Sequence, residues 1–211
     1  NLFSKIDFFL TKDTPTEHHA ALVALFEVLE ITARADIKSD LLQELERQKH
    51  LLEALRKNPN VDETTLNTAL GNIRSTFREM LDLPGKVGEH LRENDWLMSI
   101  KQRMAIPGGC CVFDLPFYHY WLNLDTEKRH QDFKEWLGPF QPVRNAFEIV
   151  LYLLRKSGKT IKLTANQGVF QQTGAEYAAH MLRLNLSDDL PCIPEISANK
   201  YALNIRFIPI K

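Results

Sequence analysis

Two apolar stripes joined by a short turn constrain the fold of this chain more than any other feature. Leu41, Leu45, Gln48, Leu52 and Leu55 recur four and three residues apart. After Asn58-Pro59-Asn60, the positions Leu66, Leu70, Ile73, Phe77 and Met80 repeat that spacing. A helix brings residues so spaced onto one face. A connection this short sends the second helix back along the first, so the stripes predict a long antiparallel helical hairpin over about residues 37–82. The remaining positions, among them Glu44, Glu46, Arg47, Lys49, Glu53, Arg56 and Lys57, read as a solvated face. Glu53 stands one turn before Lys57, the favourable order for an ion pair of about 0.2–0.5 kcal/mol.

Helical spacing extends over most of residues 1–157. Leu22, Leu25, Phe26 and Leu29 mark a helix that runs out at Arg34-Ala35-Asp36. Pro139 and Pro142 precede another, from Val143 to Lys156, with Phe147, Val150, Leu151 and Leu154 on its apolar side. Beyond Ser157 the period becomes alternating, and strands are expected at 161–163, 169–170, 181–186 and 201–207. No helical pattern separates the last strands, so the sheet should be mainly antiparallel. The expected class is α+β: a helical region over 1–157 and a β-rich region over 158–211, packed on the helices as one unit.

Composition excludes several functions. A net charge of -1 argues against a generally basic nucleic-acid binder. The distribution is uneven, because 139–183 carries six Lys or Arg against Glu148 and Glu176. A nucleic-acid module built on that basic segment is therefore the first rival reading. Three cysteines make no disulfide framework, which fits a reducing cytoplasm. No apolar run approaches the ~20 residues of a membrane span. The chain begins at Asn1 without methionine and stops at Lys211 just after a strand pattern, so trimmed ends are expected.

Individual motifs give little chemistry. Ser157-Gly158-Lys159-Thr160 imitates the end of a phosphate-binding loop, but Leu153 stands where the motif needs glycine. A helix C-terminus with Gly158 in the left-handed conformation is the better reading. His18, His19 and His130 lack the spaced partners of a zinc site and read as surface histidines, while Cys192 stands alone between prolines. No cofactor or metal is expected.

The run IPGGCCVFDLP at 106–116, with His119, Trp121 and Leu122 behind it, is the most individual stretch. Pro107-Gly108-Gly109 signals a turn. Cys110-Cys111-Val112-Phe113 reads as a short buried strand, and Pro116 opens a helix. Cys110 or Cys111 with His119 suggests a thiolate hydrolase, the second rival, but apolar flanks favour inert buried thiols.

The run resembles the signature of the ZapD family, Z-ring-associated cell-division proteins that bundle FtsZ filaments. The resemblance continues through LLQELERQ at 41–48, HLRE at 90–93, KQRMAIPGG at 101–109, HMLRLNLS at 180–187 and IRFIPI at 205–210. It implies a non-enzymatic adaptor, a cytoplasmic homodimer at the midcell division site. Its positively charged pocket would receive the C-terminal tail of FtsZ, without catalytic residues and without nucleic-acid or membrane partners. Lys5, Arg34, Lys38, Arg92, Arg103 and His119 are the positions that the resemblance assigns to the pocket. Asp95 departs from the family's more basic pattern, since arginine would suit the pocket better there.

Overall fold

A computed structural model describes residues 2–33, 36–158, 160–174, 181–199 and 201–210. It divides into two units, Asn1–Val150 and Leu151–Lys211. The class is α+β: helices to residue 156, then a three-stranded antiparallel sheet.

The helical unit is organised around α2 (Pro15–Ala33), which follows α1 (Leu2–Leu10). Ala21, Leu22, Ala24, Leu25, Phe26, Val28 and Leu29 are all buried, so α2 is apolar almost all round and must be surrounded. Phe3 and Ile6 of α1 join its core. So do residues from α5 (Glu89–Arg92), α6 (Asp95–Met104), α7 (Pro116–Leu122) and α8 (Thr126–Leu137). Trp121 is the aromatic centre, 5.8 Å from Trp96, 5.8 Å from Phe133 and 5.6 Å from Trp136 between ring centroids. Such contacts are worth about 0.5–1.5 kcal/mol each beyond their buried area.

The hairpin forms as its stripes require. α3 (Ile37–Ala54) begins at Asp36, whose carboxylate accepts from the Ser39 N–H, and α4 (Glu63–Asp82) begins at Asp62, which accepts from the Thr65 N–H. Leu41, Leu45, Gln48, Leu66, Leu70, Ile73 and Met80 are buried. Burial fades toward the tip, where Leu55 is exposed. The expected Glu53–Lys57 pair is absent: Lys57 lies in the 3-10 turn Leu55–Lys57, and Glu53 instead pairs across the hairpin with Arg74 at 3.3 Å.

Gly88 shows why the 84–93 segment lies against α2. Its φ is +79°, and a Cβ there would come within 2.7 Å of Leu29 Cδ1 and 3.1 Å of Phe140. Only glycine meets both demands.

The stretch 110–113 is not a strand. Gly108 takes φ +75°, and the Gly109, Cys111 and Leu115 N–H groups bond to Ile106 O, Gly108 O and Cys111 O. Successive tight turns use the main chain locally and leave nothing for strand pairing. Pro116 opens α7 as expected.

In the second unit, α9 (Gln141–Lys156), which begins in the first, ends without a left-handed glycine: Ser157 N–H bonds Leu153 O, and Gly158 has an ordinary φ. Lys159 lies outside the described residues. The sheet runs β1 (Val169–Thr173), β3 (Ala202–Pro209), β2 (Cys192–Ala198), all pairs antiparallel. Ile205 of the central strand, paired with Phe170 and Ile196, is its buried centre. The expected strands at 161–163 and 181–186 do not form among the described residues, where neither stretch joins a strand pair. β2 was hidden by Pro191 and Pro194, which signal a loop. It is an edge strand, where a missing N–H can face solvent.

Candidate functional site

A groove of about 950 Å³ opens where the end of α2, the start of α3 and the segment 85–93 meet. Lys38, Lys86 and Arg92 converge on it, together with Asp36, Glu89 and Glu93. Two of the carboxylates are already engaged: Asp36 accepts from the Ser39 hydroxyl at 2.7 Å, and Glu89 accepts from the Lys86 N–H at 3.0 Å. Those hydrogen bonds hold the Asp36 carboxyl below its ordinary range.

Two of the cations are also engaged. Lys38 Nζ donates to Leu83 O at 2.7 Å and Leu81 O at 3.3 Å, closing the C-terminal end of α4. Arg92 donates to Val87 O at 2.8 Å and to Leu29 O and Thr32 Oγ1 at 3.4 and 3.3 Å. It pins the 84–93 segment to α2 while facing the groove. Lys86 was missed by sequence reasoning, although a lysine between the turn glycines Gly85 and Gly88 was a legible signal.

The other predicted residues lie on different parts of the helical unit. Lys5 on α1 pairs with Glu27 on α2 at 3.4 Å, both side chains half exposed. Arg103, at the end of α6, lies 3.9 Å from Asp114. His119 donates Nε2–H to Cys110 O at 2.7 Å, clasping the 106–115 turn to α7. Arg34 lies outside the described residues. Of the six, the structure thus brings Lys38 and Arg92 into one groove. Asp95 has a local explanation: it sits in the first turn of α6 beside the Asn94 cap, where a carboxylate complements the helix dipole.

The thiols differ from expectation. Cys111 is exposed and Cys110 half-buried, because the turn places them near the surface rather than in a strand. Cys111 Sγ–H donates to Asp114 Oδ2 at 3.3 Å. Burial, with the neighbouring Cys111, pushes the Cys110 thiol up, which opposes the thiolate a nucleophile needs. Both thiols line a cavity of about 550 Å³ with His19, Val23, Met104 and Ile106. Among the described residues, no group of three or more His, Cys, Asp or Glu side chains is placed to hold a metal ion.

His18 corrects the surface-histidine reading. It is fully buried: Nδ1 accepts from Arg129 Nε at 2.7 Å, and Nε2 lies 2.9 Å from Lys12 O and 3.2 Å from His130 Nε2. With Nδ1 accepting, the proton sits on Nε2 and is donated to Lys12 O. A second proton would have to point at the guanidinium, so burial and Arg129 both lower the His18 pKa. His19, half-buried and close to His119, is lowered as well. A depressed imidazole binds fewer protons folded than unfolded. Stability from both groups is therefore present above the unfolded value of 6.5 and lost as pH falls below it. Thermal melts should show Tm nearly level above about pH 6.5 and falling toward pH 5, and His18→Gln should reduce that slope.

Comparison with known proteins agrees with the sequence signature. A family model described as "ZapD: Cell division protein" matches residues 1–206. The chain is 60% identical over 209 residues to a protein of Nitrosomonas europaea named "Cell division protein ZapD", covering 99% of this chain and 80% of the relative. Proteins of the same name from Nitrosomonas eutropha and Chromobacterium violaceum are 57% and 52% identical, with 83% and 82% of their lengths covered.

Proposed function

Because the chain belongs to the ZapD family of cell division proteins, we propose that it is a non-enzymatic adaptor that binds the C-terminal tail of FtsZ. As a cytoplasmic homodimer at the midcell division site, it would crosslink FtsZ filaments and stabilise the Z-ring. Among the described residues no helix is long and apolar enough to cross a membrane.

The observation that carries tail binding is the groove, where Lys38, Lys86 and Arg92 converge and where Asp36 and Glu89 are tied to the main chain. Cations on a concave surface suit an acidic peptide segment, and main-chain groups there can hold it extended. Lys5, Arg103 and His119, on other parts of the helical unit, and Arg34, outside the described residues, are the further basic positions that the family resemblance assigns to tail binding. A homodimer carries two such surfaces, and two weak contacts in one particle hold two filaments by avidity.

The direct test is fluorescence anisotropy of a labelled FtsZ tail peptide titrated with the protein. Saturable binding with one peptide per chain, weakening as salt rises, is expected. Absence of binding at millimolar protein, or equal binding of a charge-matched scrambled peptide, would sink the proposal.

A further inference from the structure

Consecutive cysteines on a strand would send their thiols to opposite sides. The tight turns before α7 do otherwise: Cys110 and Cys111 line one cavity of about 550 Å³, together with Met104. Two thiols and a thioether thus border a single space, and both cysteines are free. Val23, Ile106 and Pro107 make much of the remaining wall apolar.

The turn is held in place before any ligand arrives. A Cβ on Gly109 would collide with Arg103 O, so glycine lets the turn press against the end of α6, the helix that ends at Met104. His119 Nε2–H holds Cys110 O at 2.7 Å, and Cys111 N–H bonds Gly108 O at 3.3 Å. Such preorganisation favours binding. A disulfide between the neighbours is disfavoured, because consecutive Cα atoms lie about 3.8 Å apart and a disulfide usually spans about 4.4–6.8 Å. The same closeness keeps both sulfurs within reach of one ion.

The donor set selects the ion. Thiolate and thioether sulfur suit soft Cu(I), whereas Ca²⁺ and Mg²⁺ need oxygen ligands. Structural zinc needs four ligands in a tetrahedron, and among the described residues no three His, Cys, Asp or Glu side chains are placed to hold a metal. Cu(I) is satisfied by two or three sulfurs. We propose that Cys110, Cys111 and Met104 form a Cu(I) site. One Cu(I) and two thiols give a singly negative dithiolate complex and two protons released to solvent, with Met104 Sδ as a neutral third ligand and no change of oxidation state. Cys111 gives up its S–H bond to Asp114, which keeps its contact with Arg103. Burial raises the Cys110 thiol, so protons compete with the metal and affinity should rise with pH.

The test is anaerobic titration of the full, reduced chain with the coloured Cu(I)–bicinchoninate complex, copper transfer being read as loss of colour. The unaltered chain should take up one Cu(I), and Cys110→Ser with Cys111→Ser should abolish the transfer. Losing even a group that supports a metal ligand commonly costs about 10–100-fold in affinity, so Met104→Leu, which keeps the volume, should weaken binding at least about tenfold. Cys192→Ser should leave it unchanged. No transfer to the unaltered chain, undiminished transfer to the double variant, unchanged affinity in Met104→Leu, or displacement of the copper by equimolar Zn(II) each overturns the proposal. Should the double variant fail to fold, Cys111→Ser alone decides: that position is exposed, and its loss should still abolish the transfer. None of these readouts involves the FtsZ tail, so the site stands or falls apart from the adaptor reading.

Discussion

Replacing Arg129 with methionine should remove about 3–5 kcal/mol of stability, the largest effect expected of any single substitution away from the apolar core. Arg129 is buried, yet none of its hydrogen bonds goes to a carboxylate. Its guanidinium is held by Leu122 O at 2.9 Å, Leu124 O, Asp13 O at 2.6 Å, Thr126 Oγ1 at 3.2 Å and His18 Nδ1 at 2.7 Å. One side chain therefore closes the end of α7, the loop before α2 and the start of α8. Methionine keeps most of the volume but leaves those acceptors unsatisfied, at about 1–3 kcal/mol for each buried one that water cannot reach. Typical domain stability is only about 5–15 kcal/mol, so the variant should be marginal. Urea unfolding followed by circular dichroism measures this. A midpoint shift equivalent to less than about 1 kcal/mol would show that the cluster is not the fastening described. Arg129→Lys should fall between, retaining the charge but losing the fork that reaches several carbonyls at once.

The second large effect concerns binding. Lys86→Glu combined with Arg103→Glu should weaken affinity for the FtsZ tail peptide at least tenfold, about 1.4 kcal/mol. Reversal replaces attraction with repulsion and so exceeds simple removal of a contact. These two positions are chosen because the fold depends little on them. Lys86 is exposed in the groove, and Arg103 makes a long 3.9 Å contact with Asp114. Lys38 and Arg92 would confuse the result, since each holds main-chain carbonyls. Unchanged peptide affinity in a folded double variant would remove both residues from the site.

The hairpin was legible because helix period and turn position are local properties, and the stripes from Leu41 to Met80 needed no tertiary information. The same holds for α2 and α9. The 110–113 stretch was misread because Cys, Cys, Val and Phe in a row satisfy a buried-strand pattern. What decided against it was the bonding of Gly109 and Cys111 N–H groups to carbonyls just behind them. β2 failed in the opposite direction, since prolines argue against a strand unless it is known to be an edge. His18 could not be recognised as buried without knowing that Arg129, far along the chain, would reach it. The basic residues posed a comparable difficulty. Sequence can name Lys38 and Arg92 as cations, but their hydrogen bonds to Leu83 O and Val87 O appear only when three segments meet.

Co-sedimentation with FtsZ polymers tests the central proposal most directly. Polymers of FtsZ with its C-terminal tail should carry this protein into a low-speed pellet of bundles, and polymers lacking the tail should leave it in the supernatant. Equal bundling with and without the tail, or no bundling of either at micromolar concentrations of a demonstrated dimer, would contradict the account.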